Sequence, residues 1–269
     1  MGTYIDKDNS DFSQVLNSTY VDKSGLISIV NETLFTEQWR SCVTRPRRFG
    51  KSIAANMLCA YYDRSCDSRS LFENLEISHD PSFEKYLNKF PVIKLDITDF
   101  TAWHKDSPSI VDKMQEALMA DVGKAYPNII PDDFDGDFME MLIKINQATG
   151  DSFIMVIDEW DAICRESKDD TIDAYLTWLR RMFKGSNTLR VFAGVYMTGI
   201  LPIKKYSKQS ALNNFLEYSV TSPMGEERFF GFTREEVKRL CEDKGGDYDE
   251  LVKWYDGYGI GRESSIPTP

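Results

Sequence analysis

A chain of 269 residues has room for one large α/β domain, or for one domain with a small helical appendage, because single cores stop growing at roughly 250 to 300 residues. Hydrophobic residues at 42% and aromatic residues at 13% exclude wholesale disorder. A formal net charge of −11 and a pI near 4.8 set the whole-molecule field against a phosphate backbone, which argues against avid, nonspecific nucleic-acid binding by this chain alone. Positive charge is instead local: Arg45, Arg47, Arg48 and Lys51 crowd into one short stretch, which suits a small polyphosphate. The five cysteines are odd in number, scattered and without a Cys-x-x-Cys pair, as expected of reduced thiols. His79 and His104 stand far apart in the sequence and near no cysteine, which argues against a zinc site of the usual spacing. The amino terminus, MGTYIDKDNSDF, has neither a basic nor an apolar region, and no apolar run approaches the ~20 residues of a membrane span. The expectation is a cytoplasmic, non-membrane protein.

In chain order, Ser41 to Thr44 reads as a short strand running into an Arg-rich loop. After Ser52 the pattern turns helical, with Ile53, Met57, Leu58 and Tyr61 on one face and Ala54 and Ala55 permitting close packing on a sheet. Phe90 to Thr98 has the alternating, branched composition of a strand. A helix is predicted from near Ser107 and Pro108, carrying Ile110, Met114, Leu118 and Val122 at i, i+4 spacing, and another over about Phe134 to Ala148. Phe153 to Ile157 is a continuous apolar run of strand length, as where helices cover both faces of a parallel strand. A helix over about Asp170 to Lys184 follows, and then Leu189 to Met197 reads as a buried strand ending at Thr198 and Gly199. Beyond Pro202 the pattern breaks up. A strand near Tyr218 to Thr221, a helix capped at Thr233 by Thr-Arg-Glu-Glu, a helix over Tyr248 to Trp254 and a frayed tail, GRESSIPTP, complete the reading. Strands alternating with helices imply an α/β fold with a parallel sheet and right-handed crossovers.

Residues 45 to 52, RPRRFGKS, match the P-loop pattern G-x-x-x-x-G-K-[ST] at all but the first position, where Arg45 stands for glycine. In that pattern backbone N–H groups wrap phosphates and the lysine reaches the β and γ phosphates. A strand before and a helix after would place the phosphates at a helix N-terminus. The candidate ligand-binding residues are therefore Arg45, Pro46, Arg47, Arg48, Phe49, Gly50, Lys51 and Ser52, although Arg47 and Arg48 fit a solvated loop equally well. The second half of such a site is FIMVIDEWD, residues 153 to 161, an apolar strand ending in Asp158 and Glu159. Asp158 would help to hold Mg²⁺ beside the Ser52 hydroxyl, and Glu159 is placed to act as general base on the attacking water. Asp161 fits a helix N-cap as well as a functional acid. Thr198, at the end of the next strand, would set its hydroxyl beside the γ-phosphate and lytic water, though a plain strand-terminating threonine has the same spacing. Arg180 and Arg181 suit either an arginine finger acting in trans or the helix C-terminal dipole.

The segments YVDKSGLI (20 to 27), TRPRRFGKS (44 to 52), VIDEWDA (156 to 162), MTGILPI (197 to 203), SALNNF (210 to 215), GFTREEV (231 to 237) and WYDGYGIG (254 to 261), in this order, resemble the AAA-ATPase-like domain of many bacterial proteins, which often precedes a PD-(D/E)XK nuclease-like domain. In that family the first P-loop position is itself arginine. The resemblance implies a P-loop NTPase three-layer fold with a mainly parallel sheet ordered 5-1-4-3-2 and the Phe90 to Thr98 strand at its edge. It also implies an ATPase core over 1–224 and a small helical region over 225–269. It implies ATP and Mg²⁺ as ligands, with Lys51 and Ser52 on phosphate and metal, Asp158 and Glu159 as the acidic pair and Thr198 as polar sensor. A second copy of the chain or another protein stays open as partner. The chain ends at Pro269, where the family usually continues, and Glu-x-Lys occurs only at Glu166 to Lys168 and Glu236 to Lys238 in contexts unlike a nuclease core, so nuclease activity is not expected in this chain. Three roles remain open: an ATP hydrolase whose turnover drives or times a conformational change, a nucleotide-gated interaction module that scarcely turns over, and a remnant domain that no longer binds nucleotide. The choice between ATP and GTP is open as well.

Overall fold

In the computed structural model, residues 2–104, 109–203, 212–220, 225, 227–254, 258–260 and 263–266 are described. Helices α1 (Ser10–Leu16) and α2 (Gly25–Thr33) precede β1 (Arg40–Thr44), and α3 (Lys51–Tyr62), α4 (Arg69–Phe72) and α5 (Phe83–Tyr86) lead to β2 (Val92–Asp96). After α6 (Ile97–His104), α7 (Ile110–Ala125) and α8 (Phe138–Thr149) come β3 (Phe153–Asp158), α9 (Ala162–Glu166), α10 (Asp169–Lys184), α11 (Thr188–Val191), β4 (Phe192–Gly199) and β5 (Leu216–Tyr218). The first five strands form one sheet in the order β2-β3-β4-β1-β5, every neighbouring pair parallel, which is the expected 5-1-4-3-2 order.

The continuous apolar runs are explained by burial on both faces. Along β3, Phe153, Met155 and Ile157 turn to a core shared with α7, α8, α9 and α10, while Ile154 and Val156 turn to a second core built by α1, α2 and α3. The layers are helix, sheet, helix. Strand β2 lies at the sheet edge as expected, and the N-terminal segment pairs with it through Asp6 N–H to the Val92 carbonyl (2.9 Å) and Lys94 N–H to the Tyr4 carbonyl (2.8 Å), so this edge is covered.

Several boundaries differ from the sequence reading for local reasons. Strand β2 stops at Asp96 because that carboxylate accepts the Thr98 N–H (2.9 Å) and opens α6. In α7 the four expected positions, Ile110, Met114, Leu118 and Val122, are all buried, while residues 105–108 lie outside the described residues. Helix α8 begins at Phe138 rather than near 134, because Asp137 and Glu140 form a capping box. The apolar residues Leu189 and Val191 belong to the helical turn α11, so β4 begins at Phe192 and not at 189. Strand β5 lies two residues earlier than expected, and Thr221 is outside the described residues. Ile53 is 41% exposed rather than packed with Met57, Leu58 and Tyr61, which are buried.

After residue 225 come β6 (Phe232–Thr233), α12 (Arg234–Lys244), α13 (Tyr248–Trp254), β7 (Tyr258–Ile260) and β8 (Glu263–Ile266). Thr233 and Glu236 form the expected capping box on α12. Both expected helices are present, and residues 263–266, read from sequence as part of a frayed tail, form β8, which pairs antiparallel with both β6 and β7 in a small sheet of order β6-β8-β7.

Candidate active site

Strand β1 is buried at all five positions and delivers the chain to the loop at the C-terminal edge of the sheet. Two left-handed residues, Arg48 (φ +69°) and Gly50 (φ +80°), curl this loop, and Gly50 is the residue type that takes such a φ without steric cost. The chain then enters α3 at Lys51. A loop with alternating left-handed residues followed by a helix N-terminus gathers backbone N–H groups into an anion-binding concavity. The Lys51 side chain is only 4% exposed; its Nζ donates to the Pro46 carbonyl (3.1 Å) across the loop and stands 3.3 Å from Glu159 Oε1. Ser52, Arg47 and Arg48 are exposed beside it.

Arg45 differs from its expected role. Its side chain is wholly buried, with Nη1 donating to the carbonyls of Thr44 (2.9 Å) and Tyr218 (2.8 Å) and the guanidinium near the Phe230 ring. This arginine ties the loop base to β5, and neither it nor Pro46 lines the cavity described below. Phe49 is likewise buried, and its carbonyl accepts the Gly231 N–H (3.1 Å).

The parallel register of β3 with β4 brings the acidic strand end beside Thr198. Asp158 is 2% exposed and accepts the Thr198 hydroxyl and, at 3.1 Å, the Glu159 N–H. Thr198 is fully buried, so its hydroxyl orients Asp158 rather than projecting into open space. Glu159 adopts φ +50°, a conformation uncommon outside glycine and concentrated at functional sites. Its carboxylate is shared between Lys51 and Arg165, whose Nη2 donates at 2.7 Å. Asp161 does not cap a helix with its side chain; it is fully buried, accepts the N–H groups of Ile200 (3.2 Å) and Leu201 (3.0 Å), and pairs with Arg165 (3.1 Å). Gly199 is obligatory between them, since a Cβ there would meet the Trp160 ring at 2.6 Å and Asp161 Oδ1 at 2.7 Å.

A cavity of about 470 Å³ joins these parts. Part of its lining is loop backbone and charged or hydroxyl side chains, from Arg47, Arg48, Gly50, Lys51, Ser52 and Glu159; the rest is mainly apolar, from Val15, Tyr20, Val21, Ile53, Ala54, Met57, Phe229 and Phe232, with Ser18, Thr19 and Lys23 among them. Burial raises the Tyr20 phenol above its ordinary pKa, and its oxygen accepts the Lys23 N–H (3.2 Å). Burial also lowers the Lys23 ammonium, against the opposing pull of Glu236, to which it is paired at 2.6 Å. The family model described as Predicted AAA-ATPase matches residues 9–208 of this chain, spanning the loop, the acidic strand and Thr198. The chain belongs to that family.

Membership supports nucleotide binding by this domain, and the apolar part of the lining supplies the elements that spacing alone left unassigned. Val15, Tyr20, Phe229 and Phe232 lie in segments 200 residues apart in sequence and carry no catalytic pattern. Arg165 was also missed; its signal was the i, i+4 spacing from Asp161. Arg181 bonds Asp137 and pairs with Glu140, and neither it nor Arg180 lines the cavity. Beyond the family, the chain is 26% identical over 251 residues to the "Uncharacterized protein in vnfD 5′ region" of Azotobacter chroococcum mcd 1, a match that covers 89% of this chain and 45% of that protein. The chain thus spans about half the length of this curated relative. Among solved structures it is similar to the Walker-type ATPase of Pyrococcus abyssi, with a TM-score of 0.45 and 14% identity over 88% of this chain and 63% of that one.

Proposed function

We propose that this chain binds ATP with Mg²⁺ and hydrolyses it. The observation that carries the reading is the two-ended cavity: a concavity of backbone amides with Lys51 at one end, an apolar slot at the other, and Glu159 at the phosphate end. The adenine ring would occupy the apolar slot, against Tyr20, Met57 and Phe232, and the triphosphate would extend to Gly50 and Lys51. Guanine carries an amide face best met by a carboxylate, and Glu159, the one acid lining the cavity among the described residues, is already paired with Lys51 and Arg165; this favours ATP over GTP.

The oxygen donors present suit a hard divalent cation. Ser52 lines the cavity and Asp158, whose Oδ1 accepts from Thr198 and the Glu159 N–H, lies behind it; these two residues would hold the metal. Bound there, Mg²⁺ would neutralise charge on the β and γ phosphates. The protein's own part is positioning: Lys51 draws the phosphates, Glu159 accepts the proton of the attacking water, and Thr198 holds Asp158 in one orientation. The core over 1–224 would be the catalytic unit and 225–269 a small module touching the base end through Phe229, Gly231 and Phe232. Among the described residues no helix is long and apolar enough to cross a membrane, and none of the five cysteines forms a disulfide; a cytoplasmic setting is part of this proposal. A second copy or another protein as partner would couple turnover to work.

One observation favours the alternative of a slow nucleotide switch. Glu159, the proposed base, has its two carboxylate oxygens engaged by Lys51 and Arg165, and must leave one of them to reach an attacking water. Nucleotide titration with and without Mg²⁺, followed by steady-state phosphate release with Lys51→Ala as control, tests the reading. Turnover that depends on Lys51 supports hydrolysis, tight binding without turnover supports the switch, and no binding of either nucleotide would overturn both.

A further inference from the structure

The backbone at Glu159 is fixed: φ is +50°, and its N–H is shared between Asp158 Oδ1 (3.1 Å) and Thr198 Oγ1 (3.4 Å). Only the side-chain torsions remain to direct its carboxylate. Oε1 stands 3.3 Å from Lys51 Nζ and Oε2 accepts from Arg165 Nη2 at 2.7 Å, in a setting where the Lys51 side chain is 4% exposed and those of Glu159 and Arg165 are 18% and 17% exposed. Arg165 is itself anchored, its Nε 3.1 Å from the fully buried Asp161, which is held in turn by the N–H groups of Ile200 and Leu201. The Asp161 carboxylate thus joins the turn after β3 to the turn after β4, and the guanidinium it holds extends one arm to Glu159.

An anion held between Lys51 and Arg165 has the charge pattern of a terminal phosphoryl group. A triphosphate on the loop must therefore compete with Glu159 for Lys51. Removing one partner of a poorly hydrated ion pair leaves the other charge uncompensated, which is costly. We infer that Arg165 is the positioning residue that permits this exchange: it retains the Glu159 carboxylate when Lys51 turns to the phosphates. The inference rests on the reading of residues 45–52 as a triphosphate loop. Without Arg165, Glu159 has Lys51 as its remaining cation, the exchange becomes harder, and triphosphate affinity falls more than diphosphate affinity. Without the Glu159 carboxylate there is nothing to retain, so Arg165 should cease to matter for binding.

The test is a double-mutant cycle on the full chain, with calorimetric titration of a non-hydrolysable ATP analogue and of ADP into the parent, Arg165→Gln, Glu159→Gln and the double variant, each checked for thermal unfolding. Arg165→Gln should weaken the triphosphate analogue about tenfold and ADP by under about threefold, and in the Glu159→Gln background it should change triphosphate affinity by under about twofold. Should Arg165→Gln fail to fold, Arg165→Lys takes its place in the cycle, retaining the charge but not the two-armed geometry, with a smaller loss of the same pattern. Equal weakening in both backgrounds would mean that Arg165 touches phosphate or serves only the fold, and unchanged affinity in the parent background would mean that Glu159 needs no retention; either overturns the inference. A parent that binds neither nucleotide removes the triphosphate loop itself, whereas a parent that binds both with an additive cycle removes only the role of Arg165.

Discussion

The two ends of the cavity are built by different rules. The end proposed to take phosphate comes from short contiguous pieces at the C-terminal edges of β1 and β3, backbone amides and charged side chains whose spacing suits an anion. The apolar lining is assembled from Val15, Tyr20 and Val21, one face of α3, and Phe229 and Phe232, and for these positions side chains of similar volume and polarity would serve. Chemistry therefore fixes residue type at one end and only shape at the other. Substitutions should divide along the same line, altering catalysis or charge-dependent binding at the first and nonselective affinity at the second.

The largest effect is expected at Glu159. Glu159→Gln keeps size and strand-end geometry but removes the proton acceptor, so nucleotide should still bind while single-turnover hydrolysis falls by roughly 10²- to 10⁴-fold, equivalent to ~3 to 5 kcal/mol of barrier. Asp158→Asn should instead impair Mg²⁺-dependent binding as well as turnover. A Glu159→Gln variant as active as an active parent would move water activation elsewhere in the site.

Next in size is Lys51→Ala. A charge-assisted hydrogen bond is worth about 1.5 to 3 kcal/mol, so ATP affinity should drop roughly 10- to 100-fold while adenosine affinity, reported by competition, stays near the parent value. Equal losses for both ligands would indicate disturbed folding and erase the distinction between the ends. At the other end, Phe232→Ala removes part of the apolar wall, and losing about 40 Å² of covered surface at ~25 cal/mol per Å² corresponds to about 1 kcal/mol. Here ATP and adenosine should weaken by the same factor, about fivefold. A loss confined to ATP would mean that the base lies elsewhere.

The same division decides what could be read in the sequence. Gly50, Lys51, Ser52, Asp158 and Glu159 stand out because they form short contiguous patterns at fixed places, a Gly-Lys-Ser between strand and helix and an acidic pair ending an apolar strand, and the structure brings Lys51 and Glu159 to 3.3 Å. Thr233 and Glu236 were legible for a similar reason, since a capping box is a local pattern with a local cause. Tyr20, Met57 and Phe232 were not, because an apolar residue that awaits a ligand has the same sequence signature as one packed in the core. Arg45 shows the converse error: its neighbours are loop cations, yet two backbone carbonyls and the Phe230 ring draw its guanidinium inside. The start of β4 was misplaced because Leu189, Val191 and Phe192 lie in one mainly apolar stretch, interrupted by Arg190, whose first part closes a helical turn, and hydrophobicity alone does not separate the two in so few residues.

The smallest expected effect lies away from both ends, in the N-terminal segment along β2, and serves as the control for the comparison. Burial, aided by the nearby Asp63 carboxylate, pushes the Asp6 carboxyl up to about 6, against the opposing pull of its bond from the Val92 N–H and of Arg64. In the unfolded chain the same group titrates near 3.9. Between these values the folded protein holds a proton that the unfolded chain has lost, so this group's contribution to stability declines as pH rises through the window from about 4 to 6 and is unfavourable above it. A shift of this size corresponds to at most ~3 kcal/mol, and solvent screening of a partly exposed group reduces it to about 1 kcal/mol. Asp6→Asn removes the charge, retains an oxygen to accept the Val92 N–H, and suits the left-handed backbone at φ +50°, which asparagine tolerates. The variant should be more stable than the parent at pH 7 by about 1 kcal/mol in urea unfolding, with the advantage gone by pH 4. Affinities for ATP and adenosine should both match the parent. A stability gain independent of pH would remove the buried carboxylate as its cause, and a change in either affinity would mean that strain at the sheet edge reaches the cavity, so that substitutions at its two ends could no longer be compared as local events.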